Sequence, residues 1–196
     1  MNFSLHPYNK VPLWKNPHNK PFRMQLPIIE ANYSTEAELH NENISIILNE
    51  MDDAQSKTTN VKAKMSEWYM HHHYTEFQWV CDKAINLAER NSPHQVDYKV
   101  HDCWGAIYRK GDWTKKHDHW PNVWSFVYYV DCSDDCAPLL FNDGYDDWGF
   151  NLEVRPKIGK MVLFPSVLVH SVQEQTCDFE RIMVAGNICL SKKTLP

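Results

Sequence analysis

The segment Tyr108-Arg-Lys-Gly-Asp-Trp-Thr-Lys-Lys-His117-Asp-His119-Trp-Pro121 lies inside the strand-patterned half of the chain, and its reading decides the fold. Taken as a continuation of the strand pattern before it, it sets His117 and His119 one period-two step apart, on the same face. Two imidazoles so placed suit neighbouring positions on one metal ion. An H-x-H pair is a weak sign alone, and the rest of the chain gives it weight. In Val162-Leu-Phe-Pro-Ser-Val-Leu-Val-His170-Ser-Val172 a lone histidine stands in the most apolar stretch. Its plain reading is a core histidine bonded to a backbone carbonyl. Arg181 then opens the apolar run Ile-Met-Val-Ala-Gly-Asn-Ile-Cys-Leu, where a guanidinium needs an anion, because an unpaired buried charge is costly. A protein carboxylate or a ligand carboxylate gripped by the guanidinium fork would serve.

Outward from this segment, β-branched and aromatic residues predict strands at 98–108, 123–131, 138–142, 152–154, 160–164, 167–173 and 181–190. Before them, residues 66–90 carry apolar side chains at three- and four-residue steps, which predicts a helix ended by Asn91-Ser92-Pro93. A second helix is predicted over 35–51, with Ser34 or Thr35 as N-cap, preceded by a short strand in Leu26–Tyr33. Residues 52–63 read as a polar loop, and the proline-rich residues 1–25 as an extended arm. Many short strands after a helical layer predict a mainly β fold, an antiparallel sandwich or barrel with helices on one face. The organisation is one domain over 1–196: arm 1–25, strand and helical support 26–95, β core 96–190.

Composition excludes several classes. Lys plus Arg is 20 against 25 Asp plus Glu, a formal charge of −5, so no global field attracts nucleic acid. No apolar run approaches the ~20 residues of a membrane span, and MNFSLHPYNKVPLWK has no signal-peptide core, so no membrane partner and a cytoplasmic location are expected. The six cysteines are then expected to be reduced. Cys132 and Cys136 fall at zinc-ligand spacing, but no second pair at finger-like spacing completes a site. His71-His72-His73 lies within the helical pattern, where consecutive positions diverge by about 100°, and predicts a solvent-facing or capping role.

The order of motifs resembles the iron(II)- and 2-oxoglutarate-dependent dioxygenases, in particular their prolyl-hydroxylase-like branch and the short oxygenases of marine bacteria and phages. The matching residues are Tyr108, Gly111-Asp112, His117-Asp118-His119, Val127-Tyr128-Tyr129-Val130, Pro156-Lys157-Ile158-Gly159, Leu163-Phe164-Pro165-Ser166, His170 and Arg181. The resemblance covers about residues 98–190 and implies a double-stranded β-helix, or cupin-like jelly roll, holding Fe(II). It implies His117 and His170 as two ligands, and Arg181 on the distal carboxylate of 2-oxoglutarate, helped by the hydroxyls of Tyr108 and Tyr129. O2 is the other co-substrate, and the reaction is oxidation of an unactivated C–H bond, on a prolyl or other side chain or on a small molecule, coupled to decarboxylation of the keto acid.

Two positions depart from the family pattern. The carboxylate ligand falls at residue 119, which is histidine; His119 or the neighbouring Asp118 would complete the centre. The small hydroxyl residue two places after the arginine is Met183. Two other readings therefore stay open: a three-histidine cupin-like dioxygenase that uses no keto acid, and a non-catalytic jelly-roll binding module. Trp113, Trp120, Trp124 and Trp148 would line the mouth of such a barrel or pack in its core and rim. The substrate-selecting loops would be the arm, 52–63 and 131–151. The acidic residues of the last, if they border the site, favour a neutral or basic small-molecule or peptide substrate.

Overall fold

The computed structural model describes residues 27–52, 60–92, 95–142 and 151–191. The arm 1–25, most of the 52–63 loop and the tip of the 131–151 loop, with Trp148, lie outside the described residues. In chain order the elements are β1 (Ile29–Asn32), α1 (Glu38–Glu50), β2 (Val61–Lys62), β3 (Lys64–Met65) and a single 3₁₀ turn (Met70–His72). Then come α2 (Thr75–Asn91), β4 (Tyr98–Tyr108), β5 (Trp113–His117), β6 (Trp124–Asp131) and β7 (Leu139–Asn142). β8 (Asn151–Val154), β9 (Lys160–Pro165), β10 (His170–Val172) and β11 (Arg181–Leu190) complete the chain.

Among the described residues the strands form two antiparallel sheets, ordered β1-β9-β6-β11-β4-β3 and β2-β5-β10-β7-β8. Such a pair of sheets is the expected double-stranded β-helix. Both faces of the six-stranded sheet are covered, so its strands are near-continuous apolar runs. Along β11, Ile182, Val184 and Ile188 face the helices, whereas Met183 and Ala185 face the interior between the sheets. The same alternation sends Phe126, Tyr128 and Val130 of β6 to the helices and Val127 and Tyr129 inward.

The helices supply the cover on one side. α2 buries Phe77, Val80, Cys81, Ala84, Leu87 and Ala88, the three- and four-residue stripe of an amphipathic helix. α1 buries Asn41, Ile44 and Leu48 on one face. Asn41 pins α1 to β6: its Nδ2 donates to the Val130 carbonyl at 2.9 Å and its Oδ1 accepts the Tyr128 hydroxyl at 2.8 Å. At Gly159 a positive φ of 77° closes the turn into β9, and a Cβ there would lie 2.5 Å from the Ser34 backbone.

Three expectations need correction. The helix expected over 66–90 begins at Thr75, because residues 64–69 lie along β4. Ser66 bonds the edge of β4 in both directions (its N–H donates to the Gly105 carbonyl at 3.0 Å and its Oγ accepts the Gly105 N–H at 2.8 Å), and the Trp68 carbonyl accepts the Cys103 N–H at 2.7 Å. Unpaired groups of an edge strand outweigh local helical periodicity there. α1 starts after Ala37 with no side-chain cap; Ser34 and Thr35 sit in the preceding turn, where the Tyr33 carbonyl accepts the Glu36 N–H. Finally, 108–121 does not continue β4. A turn at 109–112, with Gly111 at φ 85° and the Asp112 carboxylate accepting the Arg109 N–H, separates β4 from β5.

Candidate metal and co-substrate site

Strand register brings the singled-out residues together. His170 opens β10 and stands opposite His117, the last residue of β5. Arg181 opens β11 and stands opposite Tyr108, the last residue of β4. Met183 stands opposite Tyr129 of β6 on the other side of β11. His119 lies beyond the end of β5, so strand alternation does not aim it. The loop after the strand is held instead by its N–H, which donates to the Ser166 carbonyl at 2.8 Å.

The ring centroids of His117, His119 and His170 lie 4.8, 4.3 and 5.1 Å apart, and one ligand nitrogen from each falls within 4.8 Å of the others. The Nδ1 of His117 pairs with the Lys115 carbonyl at 2.8 Å and that of His170 with the Leu168 carbonyl at 2.9 Å. An Nδ1–H so engaged leaves Nε2 as the free lone pair, the tautomer a metal ligand needs. The backbone partner that would mark His170 as a mere core histidine is therefore also what orients it. Burial is the first cause lowering all three pKa values, and the neighbouring rings lower those of His119, to about 4, and His170 further. The rings are neutral at pH 7 and fit a divalent ion. Asp118 does not join them: it is exposed, and its carboxylate accepts the Trp120 N–H at 3.0 Å.

The histidines line one cavity, of about 50 Å³, with Arg181, Tyr108 and Tyr129. Arg181 is 1% exposed. Its Nη1 donates to the Ala137 carbonyl at 2.6 Å, and its guanidinium lies 4.2 Å from the Tyr108 ring centre. Among the described residues its buried Nε has no hydrogen-bond partner, and neither has the buried Tyr129 hydroxyl. Its described partners include no protein carboxylate. Tyr108 and Tyr129 differ. The Tyr108 hydroxyl is already paired with Thr114 Oγ1 at 2.7 Å, whereas that of Tyr129 is left to a ligand. Burial raises both phenol pKa values, so both hydroxyls stay protonated donors.

Residues missed in the sequence complete the cavity. Trp104, inward-facing on β4, lines it beside His119 with ring centres 6.0 Å apart, and Thr114 holds Tyr108. The signal for Trp104 was the period-two alternation of the predicted 98–108 strand; Thr114 had none, because a register shift between β5 and β10 brings it to the same cavity as His117. Of the tryptophans expected at the mouth, Trp124 packs in the helix-facing core, Trp120 is 73% exposed, and Trp113 is half-buried under Lys115. Met183, at the place of the family's small hydroxyl residue, adds an apolar wall.

Residues 102–187 match the family model described as "Putative 2OG-Fe(II) oxygenase". No curated protein matches the chain in sequence. Solved structures share the fold. The viral collagen prolyl hydroxylase vCPH of Paramecium Bursaria Chlorella virus-1, in its 2OG complex, is 13% identical with a TM-score of 0.62, covering 81% of this chain and 93% of that one. A Pseudomonas putida prolyl-4-hydroxylase is 17% identical with a TM-score of 0.61, covering 84% and 92%. HygX of Streptomyces hygroscopicus, with nickel and 2-oxoglutarate bound, is 10% identical with a TM-score of 0.64, covering 85% and 84%. The family match spans 86 of the 196 residues, and the solved structures share the fold of this chain.

Proposed function

We propose that His117, His119 and His170 hold Fe(II), that Arg181 and Tyr129 bind the distal carboxylate of 2-oxoglutarate, and that the protein hydroxylates a peptide side chain or a small molecule. The observation that carries this reading is the buried guanidinium of Arg181, which meets no carboxylate among the described residues, beside three neutral imidazoles in one cavity. A buried cation lacking its counter-charge is costly, and a dicarboxylate restores the balance. With no carboxylate among the three ligands, the keto acid also supplies the negative charge that offsets the ion.

Fe(II) with 2-oxoglutarate and O2 supplies the oxidation: the keto acid is decarboxylated to succinate and one oxygen atom goes to the substrate C–H bond. The chain's own residues bind and orient. The Lys115 and Leu168 carbonyls fix two rings in the ligand tautomer. Arg181, steadied by Ala137 and the Tyr108 face, fixes the keto acid's far end, while Tyr129 donates a neutral hydrogen bond. Leu139, Phe164, Val172 and Met183 keep water from the dicarboxylate. The six cysteines are unpaired in the structure, which fits the reducing cytoplasm as the place of action, and no nucleic-acid substrate is invoked. Among the described residues no helix is long and apolar enough to cross a membrane.

The three-histidine reading without a keto acid draws on His119 at the carboxylate position, with Arg181 then binding the substrate's own carboxylate. Anaerobic titration with Fe(II) and then 2-oxoglutarate separates the two. A visible charge-transfer band that needs both is expected from chelation at the metal. Bound iron with no band on adding 2-oxoglutarate would favour the second reading, and no bound iron would leave a binding module.

A further inference from the structure

A second metal-capable cluster lies away from this cavity. His71 of the 3₁₀ turn, Cys81 of α2 and Cys103 of β4 each present one ligand atom, all within 4.8 Å of one another. Both cysteines are 0% exposed, with their sulfurs within 4.8 Å of each other. Among the described residues the buried His71 Nδ1 has no hydrogen-bond partner. As small hydrophobes two thiols need no explanation, but an unpaired imidazole nitrogen against them does, because a desolvated acceptor left unmade is costly. We propose that His71, Cys81 and Cys103 form a zinc site that clamps the 3₁₀ turn and α2 onto the six-stranded sheet.

Three features select the ion. Two thiolates and an imidazole are soft ligands suited to zinc. Zn²⁺ with two thiolates and a neutral imidazole carries no net charge, which suits an apolar core; a monovalent ion there would leave one negative charge buried. Ligand atoms around a tetrahedral zinc lie roughly 3.3–3.8 Å apart, so side-chain rotations close the remaining gap. His71 adjoins the exposed His72 and His73, which gives the ion a way in and leaves water as fourth ligand. Unliganded, burial raises the Cys103 pKa and lowers that of His71 to about 4. The imidazole therefore offers its lone pair at neutral pH, and zinc releases one proton from each thiol.

Cobalt(II) reports the site independently of the proposed iron centre, since only thiolate ligands give a near-ultraviolet sulfur-to-cobalt charge-transfer band. Metal-stripped, reduced full-length protein is titrated with Co²⁺ and then Zn²⁺. The band is expected with one equivalent in wild type and in the His117→Ala/His170→Ala double variant, and zinc should bleach it and raise Tm in both. Cys81→Ala should abolish it. Should that variant fail to fold, His71→Gln, at the edge of the core, should weaken cobalt binding on the order of 100-fold in chelator competition. Folded wild type without the band overturns the proposal. So does a band that survives in folded Cys81→Ala, keeps full affinity in His71→Gln, or is lost instead in Cys136→Ala.

Discussion

The two faces of the six-stranded sheet are made from alternate residues of the same strands, yet they do opposite work. On β4, Cys103 and Ile107 turn to the helices while Trp104 and Tyr108 turn to the cavity. On β9, Met161 and Leu163 face the helices, Val162 and Phe164 the cavity. The helix face is filled by Phe77, Ile44 and Leu48, and Asn41, Tyr128 and Val130 satisfy one another's polar groups there. Among the described residues the cavity face keeps two polar atoms without protein partners, Arg181 Nε and the Tyr129 hydroxyl. One side spends its burial on stability and the other holds groups waiting for a ligand. Substitutions a single residue apart in a strand should therefore fail in different ways.

The widest contrast is expected between His170→Ala and Phe77→Ala. The first removes a proposed ligand from the cavity face. Succinate release should fall more than about 100-fold, beyond the loss typical of a residue that only supports a ligand, with Tm of the apo protein little changed. The second opens a hole in the helix face and should cost about 3–5 kcal/mol of stability while activity per folded molecule persists. Denaturant unfolding and succinate assays on both proteins check the contrast; equal loss of activity at equal folded fraction would erase it.

Arg181→Ala is expected to weaken 2-oxoglutarate binding by about 100-fold, roughly 3 kcal/mol, and iron binding hardly at all. Parallel loss of both ligands in calorimetric titrations would make the arginine a structural cation. Within the cavity, Tyr129→Phe should raise the 2-oxoglutarate Kd about 10-fold, since its hydroxyl has no other partner. Tyr108→Phe should raise it less, because that hydroxyl already bonds Thr114. Reversal of this order would mean that Thr114 gives up its partner to the keto acid.

The smallest effect is on pH. Burial holds the pKa of His119 down from 6.5 to about 4 and lowers those of His117 and His170. The unfolded chain binds protons that the folded apo protein refuses, so their contribution is present above pH 6.5 and lost as pH falls toward about 4. Tm of the apo protein should decline over that window, and less steeply in the His117→Ala/His170→Ala variant. The same slope in both proteins would place the acid-sensitive groups elsewhere.

How much of this was legible varies by element. β4 and β11 match the predicted 98–108 and 181–190: β11 is buried on both faces and leaves a near-unbroken apolar run, while β4 alternates over its first half before it enters the core. The start of α2 was misplaced because residues 64–69 pair with an edge reached only after the chain has folded back. His117 and His119 were paired by strand alternation, but the structure uses another route: one ends β5 and the other follows it, drawn in by the Ser166 carbonyl. Helical geometry predicts solvent or a cap for His71-His72-His73; His72 and His73 are exposed, but His71 sits on a 3₁₀ turn over two thiols distant in sequence.

What the sequence alone determined was local: the alternation that makes strands, the residue types able to ligate or to carry charge, and the oddity of an arginine in an apolar strand. Covalent geometry fixes those within a few residues. Tertiary structure decided the convergences, which depend on register between distant strands and on single loop hydrogen bonds. It set His170 opposite His117, turned Asp118 to solvent, engaged the Tyr108 hydroxyl while leaving that of Tyr129 free, and gathered His71, Cys81 and Cys103 from three elements. A hydrogen bond between residues far apart in the chain leaves no period to read, so those outcomes had to wait for the fold.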